Sequence, residues 1–270
     1  MKDKGSGFQA YTILYLIFLY APIVLLPIFA FNNSTIIAFP LSGFTTAWFR
    51  ELATIPALHD AVKNSLIIAV STAILATCLG TFAARASTRY DFPGKGPIVG
   101  FIMLPLVLPE IIVAVSLLVV LLGIGVNLSA WTVILGHVLI CTPFSIAILN
   151  SAFQSLDKSL EEAAYDLGET RWSTFRLITL PLIMPGIISS LLISFTISLD
   201  EFIIAFFLTG TQPTLPVYIW SQLRFPTKLP SIMALGTILV ALSITLLIIA
   251  EYFRRRGIAR SGGKDSGGFL

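Results

Sequence analysis

The stretch Glu162-Ala163-Ala164-Tyr165-Asp166-Leu167-Gly168 is a polar, turn-bearing segment between long apolar runs. It is preceded by Ser159-Leu160-Glu161-Glu162, a capping-box pattern that predicts a helix beginning at Ser159. Gly168 suits the left-handed position that ends a helix, and Thr170 can cap a second helix, which Pro181 limits. The sequence therefore predicts helix, tight glycine turn, helix, at the place where the chain meets a partner in water.

The composition around this segment is that of a membrane protein. Of 270 residues, 56% are hydrophobic and only 11% are charged, whereas a soluble domain carries about 25% charged residues. A net charge of +3 is too small to indicate nucleic-acid binding. Cys78 and Cys141 lie inside apolar runs, and His59 and His137 are isolated. We therefore expect no metal site and no redox motif.

Six apolar segments are long enough to cross a bilayer, which takes roughly 20 helical residues. This predicts an all-α polytopic membrane protein with one transmembrane domain, residues 8–256, between a short N-terminus (1–7) and a Gly/Ser-rich disordered tail (257–270). The first apolar run is too long for a signal peptide and is interpreted as a span. The predicted spans are 8–31, 61–84, 98–122, 131–151, 182–208 and 231–253.

The distribution of basic residues predicts the orientation of these spans. With the N-terminus inside, 13 of the 17 Lys and Arg residues lie on the inner side and four on the outer side. Because basic residues are retained on the cytoplasmic side of a membrane, both termini and the segment 152–181 are expected to be cytoplasmic.

The spacing Glu162-Ala163-Ala164, three residues, Gly168, nine residues, Ile178-Thr179-Leu180-Pro181 resembles the EAA signature of permease subunits in binding-protein-dependent ABC importers. Every fixed position of that pattern is met, and the segment precedes the penultimate span, as it does in the family. The resemblance implies a type I (MetI-like) permease of a bacterial inner membrane. It also implies three kinds of partner: a cytoplasmic ATP-binding subunit dimer, a second permease that is a distinct homologue, and an extracytoplasmic substrate-binding protein.

Three further stretches resemble the spermidine/putrescine permease group, namely Ser198-Leu199-Asp200-Glu201-Phe202, Leu215–Trp220 and Ala234-Leu235-Gly236-Thr237. The resemblance implies import of a polyamine or a similar small cationic compound. An amino-acid derivative, an opine or a compound like γ-aminobutyrate remains an alternative substrate.

Within segment 152–181, the resemblance implies that the first helix docks in a groove of the ATP-binding subunit. An apolar stripe recurs at helical spacing and fits such a groove. Glu162 and Asp166, four residues apart, offer acceptors to basic groups, and Gly168 permits the turn. The alternative is an ordinary polar connection between spans. The stripe consists of Leu160, Ala163, Ala164 and Leu167.

The chain carries no phosphate-binding loop of the Gly-x-x-x-x-Gly-Lys-Ser/Thr type. We expect no catalytic residue and no cofactor in this chain, with ATP and Mg²⁺ bound by the partner subunit. A self-contained secondary transporter is a less favoured alternative. A membrane-embedded enzyme is less favoured still, since no metal set or Ser/Lys arrangement is evident.

Three acidic residues of the predicted spans, Glu110, Asp200 and Glu201, are candidate pathway residues. Ionisable side chains at membrane depth face a cavity, a partner or a pathway, because exposing them to lipid is costly. Asp200 and Glu201 could attract a cationic substrate, or could reach the outer interface or pair with a neighbouring subunit. Consecutive helical residues point about 100° apart, so only one of them can face the pathway fully. Glu110, behind Pro105 and Pro109, is a third pathway candidate, and the two prolines can break its helix.

Overall fold

The computed structural model describes residues 4–261, and these residues are almost entirely helical. The one β pairing among them is an isolated bridge between Asn32 and Phe44. The helices are α1 (Lys4–Ala30), α2 (Ala47–Leu52), α3 (Pro56–Arg89), α4 (Lys95–Met103), α5 (Glu110–Gly123), α6 (Ala130–Gln154), α7 (Lys158–Asp166), α8 (Arg171–Thr174), α9 (Leu180–Asp200), α10 (Ile203–Leu208), α11 (Leu215–Gln222) and α12 (Leu229–Ser261).

The helices account for the six predicted spans, four of them as single helices. Those four are Gly7–Ala30, Pro56–Arg89, Ala130–Gln154 and Pro226–Thr245. The third and fifth spans are bent pairs, Lys95–Leu106 with Glu110–Gly123 and Arg171–Leu182 with Met184–Asp200. Counting each bent pair as one span gives six in the described part of the chain, which agrees with the all-α polytopic prediction.

Several predicted boundaries differ from the structure. The first helix begins at Lys4, inside the predicted terminal segment 1–7. The last helix continues to Ser261, so residues 257–261 of the predicted disordered tail are helical, and residues 262–270 lie outside the described residues. The fifth predicted span, 182–208, is not continuous: α9 ends at Asp200, Glu201 is extended, and α10 follows.

Prolines account for both bends. The third span turns by 103° around Pro109, which precedes α5 and has extended backbone angles (φ −56°, ψ 127°). This confirms the predicted break behind Pro105 and Pro109. The fifth span bends by 70° between Leu182 and Met184. Pro185 lacks the N–H that would bond the carbonyl of Pro181, so the helix is weakened where it bends.

The chain divides into two compact units, and the larger one, Pro56–Tyr218, is built on α3, α6 and α9. Small residues let these three helices approach closely, as is common between membrane helices. A Cβ atom added at Gly80 of α3 would lie 2.6 Å from the Cβ of Ser145 on α6, and one at Gly186 of α9 would lie 2.6 Å from the Cβ of Ala152. Both glycines are therefore required by packing.

Buried hydroxyl groups link the same three helices. On α9, Ser190 pairs with Thr77 of α3 and Ser194 pairs with Ser145 of α6, each at 3.0 Å between hydroxyl oxygens. Such bonds contribute about 0.6 kcal/mol each on average between membrane helices. They fix which face of α9 points into the unit.

The second unit, Met1–Ile55 with Ile219–Leu270, packs α1 and α2 against α12. Gly236 of α12 leaves room for Leu26 of α1. Glu51 of α2 lies 2.9 Å from Lys228 and accepts a hydrogen bond from Ser231 at 2.7 Å. The bonds from Lys228 and Ser231 hold the pKa of the Glu51 carboxyl below its usual value. The contacts of Glu51 with Lys228 and Ser231 therefore connect the short helix α2 to the beginning of α12.

Candidate functional site

The predicted coupling helix is α7, and it begins one residue earlier than expected. Its N-cap is Asp157, whose side chain accepts the N–H of Ser159 at 3.0 Å. That backbone hydrogen bond lowers the pKa of the Asp157 carboxyl. The capping box predicted at Ser159 is thus wrong: the helix already includes Lys158, and the Ser159 N–H that Glu162 would have bonded in such a box is bonded to Asp157.

The glycine turn after α7 is formed as predicted. Gly168 has φ +89°, and its N–H donates to the carbonyl of Tyr165 at 2.9 Å. The N–H of Glu169 donates to the carbonyl of Ala164 at 3.0 Å, which completes a Schellman-type end. Thr170 caps α8 by accepting the N–H of Ser173 at 3.2 Å. The turn is therefore specified by local chemistry.

Pro181 limits the second helix by a bend and not by an end. After α8, residues Phe175–Thr179 form a π-helical turn that leads directly into α9, and the helical path then turns by 70° between Leu182 and Met184. Pro181 lacks the N–H that would bond to the preceding turn, which weakens the helix just before the bend. Segment 171–200 is thus one bent helical path from the glycine turn to Asp200.

The outward face of α7 carries most of the residues predicted to couple. Leu160 is 45% exposed and Leu167 is 87% exposed, and Ala163 between them is also exposed. Glu162 and Asp166 are exposed beside this strip. Ala164 differs from the prediction, since it is buried within the chain. The strip available to a partner is therefore Leu160, Ala163 and Leu167, which we call the coupling strip.

The opposite face of α7 is held by a buried ion pair. Glu161 Oε2 lies 2.6 Å from Nε of Arg89, at the end of α3, with side chains only 8% and 10% exposed. Thr179 donates its hydroxyl to Glu161 Oε1 at 2.6 Å, and Arg89 donates to the carbonyl of Leu156 at 3.2 Å. These contacts join α7 to α3 and to the π turn. Local sequence indicates no role for Glu161, because its partners Arg89 and Thr179 lie on other elements.

A small basic cavity adjoins this ion pair. Its volume is about 300 Å³. Arg85 lies over the Phe175 ring at 4.4 Å and donates to the carbonyl of Arg171 at 3.4 Å. The cavity lies between α7 and the end of α3, and none of the coupling-strip residues lines it. It is lined by Arg85, Arg89, Tyr90, Lys158, Glu161, Glu162, Tyr165 and Arg171.

Inside the helical core, Glu201 forms a second buried polar cluster. Its carboxylate accepts the N–H groups of Ile204 and Ala205 at 2.8 and 3.0 Å, at the start of α10. The Nε2 atom of His137 lies 3.0 Å from the same carboxylate, and its Nδ1 lies 2.7 Å from the hydroxyl of Ser198. Glu201 therefore stabilises the break between α9 and α10.

This cluster corrects two predictions. His137 is not isolated, since it contacts both Ser198 and Glu201. Glu201 is not open to a pathway, because the carboxylate is buried and occupied by groups of its own chain. A lone histidine in an apolar run gives no local signal of such a partner, so sequence reasoning missed it. Among the described residues, no group of three or more His, Cys, Asp or Glu side chains could hold a metal ion.

The other two acidic candidates are placed differently. Asp200 is the last residue of α9 and is exposed. Glu110 is the first residue of α5, directly after the 103° bend, and is also exposed. The ion pairs found in residues 4–261 involve neither of them. The structure therefore leaves both available to a ligand or a neighbouring subunit.

The contrast between the two adjacent carboxylates gives a first prediction. Glu201→Gln removes the negative charge that two N–H groups and His137 share, and leaving buried polar groups unsatisfied costs about 1–3 kcal/mol. We expect this variant to unfold at a temperature several degrees below the wild type. Asp200→Asn, on an exposed side chain, is the matched control and should leave the unfolding temperature unchanged. Thermal unfolding of the purified transporter checks this, and equal melting of the two variants would contradict the assignment.

Comparison with known proteins agrees with this architecture. Residues 76–258 match the family described as binding-protein-dependent transport system inner membrane component. The spermidine/putrescine transport system permease protein PotC of Escherichia coli (strain K12) is 35% identical over 239 residues, 88% of this chain and 90% of PotC. The putrescine transport system permease protein PotI of the same strain is 38% identical over 248 residues, 88% of this chain and 87% of PotI.

A solved structure shares the fold. A chain from a bacterial ABC transporter involved in the import of alginate superposes with a TM-score of 0.70 at 15% identity, covering 94% of this chain and 96% of that chain. The bent spans, the glycine turn after α7 and the family match over most of the chain lead to one assignment. This chain belongs to the inner membrane components of binding-protein-dependent transport systems.

Proposed function

We propose that the chain is the permease subunit of an ATP-driven importer for a polyamine such as spermidine or putrescine. The substrate assignment rests on the 35% and 38% identity to the spermidine/putrescine and putrescine permeases over 88% of this chain. The exposed carboxylate of Asp200 supports it, because a negative charge beside a pathway attracts a cation. Glu110 is a second candidate for the same role.

The proposed partner arrangement follows from α7. A cytoplasmic ATP-binding subunit binds the coupling strip, and Glu162 and Asp166 accept hydrogen bonds from its basic groups. ATP and Mg²⁺ are bound by that partner. Closure of the ATP-binding dimer moves α7, and through the Glu161 contacts to Arg89 and Thr179 the motion reaches α3 and α9. The pathway then alternates between two states as a rigid-body transition.

The remaining partners complete the transporter. A second permease, a distinct homologue, closes the pathway, and an extracytoplasmic binding protein delivers the substrate. Both termini lie in the cytoplasm, as the distribution of Lys and Arg indicates. The lipid bilayer surrounds the assembly through the exposed apolar residues of the spans.

The test is uptake by the complete transporter reconstituted in vesicles with its ATP-binding subunit, second permease and binding protein. We expect uptake of labelled spermidine or putrescine that requires ATP and is unaffected by collapse of ion gradients. γ-Aminobutyrate and neutral amino acids are the comparison substrates. Uptake of one of these in place of polyamines would show that the proposed substrate is wrong, and uptake without ATP would favour a secondary transporter.

A further inference from the structure

Helix α9 carries a second row of polar residues, on the side away from its packing face. The packing face consists of Ser190, Ser194 and Ser198, all buried. At 100° per residue, Ser189, Thr196 and Asp200 fall within an arc of about 40°, and the centre of that arc is about 140° from the packing face. All three are exposed. Helix α9 thus has buried hydroxyl groups on its packing face and a narrow row of exposed polar residues on the other side, with exposed Leu192 and Ile193 on the two sides of that row.

The outward row lies at membrane depth. Ser194 contacts Ser145, and Ser198 contacts His137, so this part of α9 runs beside the middle of α6. With a rise of 1.5 Å per residue, Asp200 is within about 10 Å of the level of the middle of α6. The half-thickness of a hydrocarbon core is about 15 Å. A carboxylate exposed to lipid there costs at least about 2.5 kcal/mol, so this face must meet water or protein.

The chemistry of the row is that of an acceptor surface. The Ser189 hydroxyl donates to the carbonyl of Pro185, and the Thr196 hydroxyl donates to that of Leu192, each at 2.9 Å. Their hydrogens are therefore used within the helix, and only oxygen lone pairs point outward. With the carboxylate of Asp200, the face offers three acceptors and no charged donor. An ammonium group has three N–H donors and no acceptor, and so complements this face.

Glu201 does not add to this surface, because its carboxylate is turned into the core toward His137. The negative charge of the face therefore comes from Asp200 alone. Along the axis, Thr196 lies about 6 Å from Asp200 and about 10 Å from Ser189, at 1.5 Å per residue. An extended amine with several ammonium groups can contact more than one of these acceptors at a time.

We propose that Ser189, Thr196 and Asp200 line the translocation pathway and bind the ammonium groups of the transported amine in succession. This inference rests on the proposed function, since it takes the transported compound to be a cationic amine. It assigns two hydroxyl residues, Ser189 and Thr196, to the pathway in addition to Asp200, and it leaves the neighbouring Glu201 out of the pathway. Hydroxyl acceptors next to a single carboxylate bind a cation without holding it too tightly for release.

The first test is the reactivity of cysteines in the complete transporter, with Cys78 and Cys141 replaced by alanine. A thiol reacts as the thiolate, which forms in water and not in lipid. We expect Thr196→Cys to react with a membrane-impermeant cationic thiol reagent in the ATP-bound state, and spermidine to slow the reaction at least about fivefold. Ile188→Cys is the matched control: Ile188 is exposed on the same helix but points about 100° away from Ser189.

Three results would overturn the inference. Thr196→Cys could remain unreactive in every nucleotide state, as it would if the second permease covered this face. Ile188→Cys could react equally fast, or spermidine could give no protection. If instead the wild-type transporter takes up no amine at all, the proposed function fails, and that result is obtained separately in the uptake assay.

A second measurement uses uptake by variants. Thr196→Val removes the acceptor oxygen at nearly constant volume and is expected to lower the rate of polyamine uptake about fivefold to tenfold. Thr245→Val is the control, because Thr245 is an exposed threonine of α12 whose hydroxyl donates to its own helix at Ala241, at 2.7 Å. Equal uptake by the two variants would contradict the role of Thr196.

Discussion

Arg89→Gln is expected to reduce ATP-driven uptake strongly while the protein still inserts into the membrane. The substitution leaves Glu161 buried without its ion partner, and breaking a buried pair in this way costs about 3–5 kcal/mol. Helix α7 then loses its attachment to α3 and moves without α3. Since about 1.4 kcal/mol changes an equilibrium tenfold, we expect uptake to fall by at least about tenfold, with ATP hydrolysis continuing.

Lys95→Gln is the matched control for this variant. Lys95 pairs with Asp91 at 3.1 Å close to the same end of α3, but the Asp91 side chain is fully exposed. Exposed pairs contribute only about 0–1 kcal/mol, so uptake should remain near the wild-type rate. Uptake and ATP hydrolysis are measured on the same reconstituted vesicles. Normal uptake by Arg89→Gln would show that the buried pair does not transmit the motion of α7.

The second large effect is expected at Gly168. Its φ of +89° lies in the left-handed region, and a Cβ atom added there would meet no other atom within 4 Å. The cost of a substitution is therefore mainly conformational, about 1–2 kcal/mol for an ordinary residue and more for a β-branched one. Gly168→Val should distort the turn, displace Leu167 from the coupling strip and reduce ATP-driven uptake by about tenfold or more.

The variant Gly168→Asn distinguishes the effect of backbone conformation at this position from the effect of adding a side chain. Asparagine is tolerated in the left-handed region, so this variant should keep most of the uptake although its side chain is polar and larger than that of glycine. Binding of the ATP-binding subunit, measured by co-purification, should be weakened by Gly168→Val and largely retained by Gly168→Asn. If both variants transport alike, the turn is not required for coupling.

Local features of the coupling segment could be predicted from sequence because each depends on neighbouring residues. Gly168 ends a helix and Thr170 begins one, and both effects act over a few residues. The shared face of Leu160 and Leu167 follows from helical spacing in the same way. Ala164 was assigned to the wrong face, since a stripe defined by spacing alone does not tell which edge of it is covered by the chain itself.

Contacts between distant segments could not be predicted. Arg89 and Glu161 belong to different helices, and nothing near either residue indicates the other. The same is true of His137 and Glu201, whose pairing depends on how α6 and α9 pack. The continuation past Pro181 was missed for another reason. Proline is a strong signal that a helix is interrupted, but the sequence does not tell whether the interruption is an end or a bend, as it is here between Leu182 and Met184.

The π turn at Phe175–Thr179 holds one residue more per turn than an α-helix would. Because the wider turn absorbs one extra residue, deleting one residue there would convert it to regular helix with little rotation of the helices on its two sides. A deletion in the middle of α9 has no such turn to absorb it and would rotate the residues before it by about 100° relative to those after it. A one-residue deletion should therefore be better tolerated in the π turn than in α9.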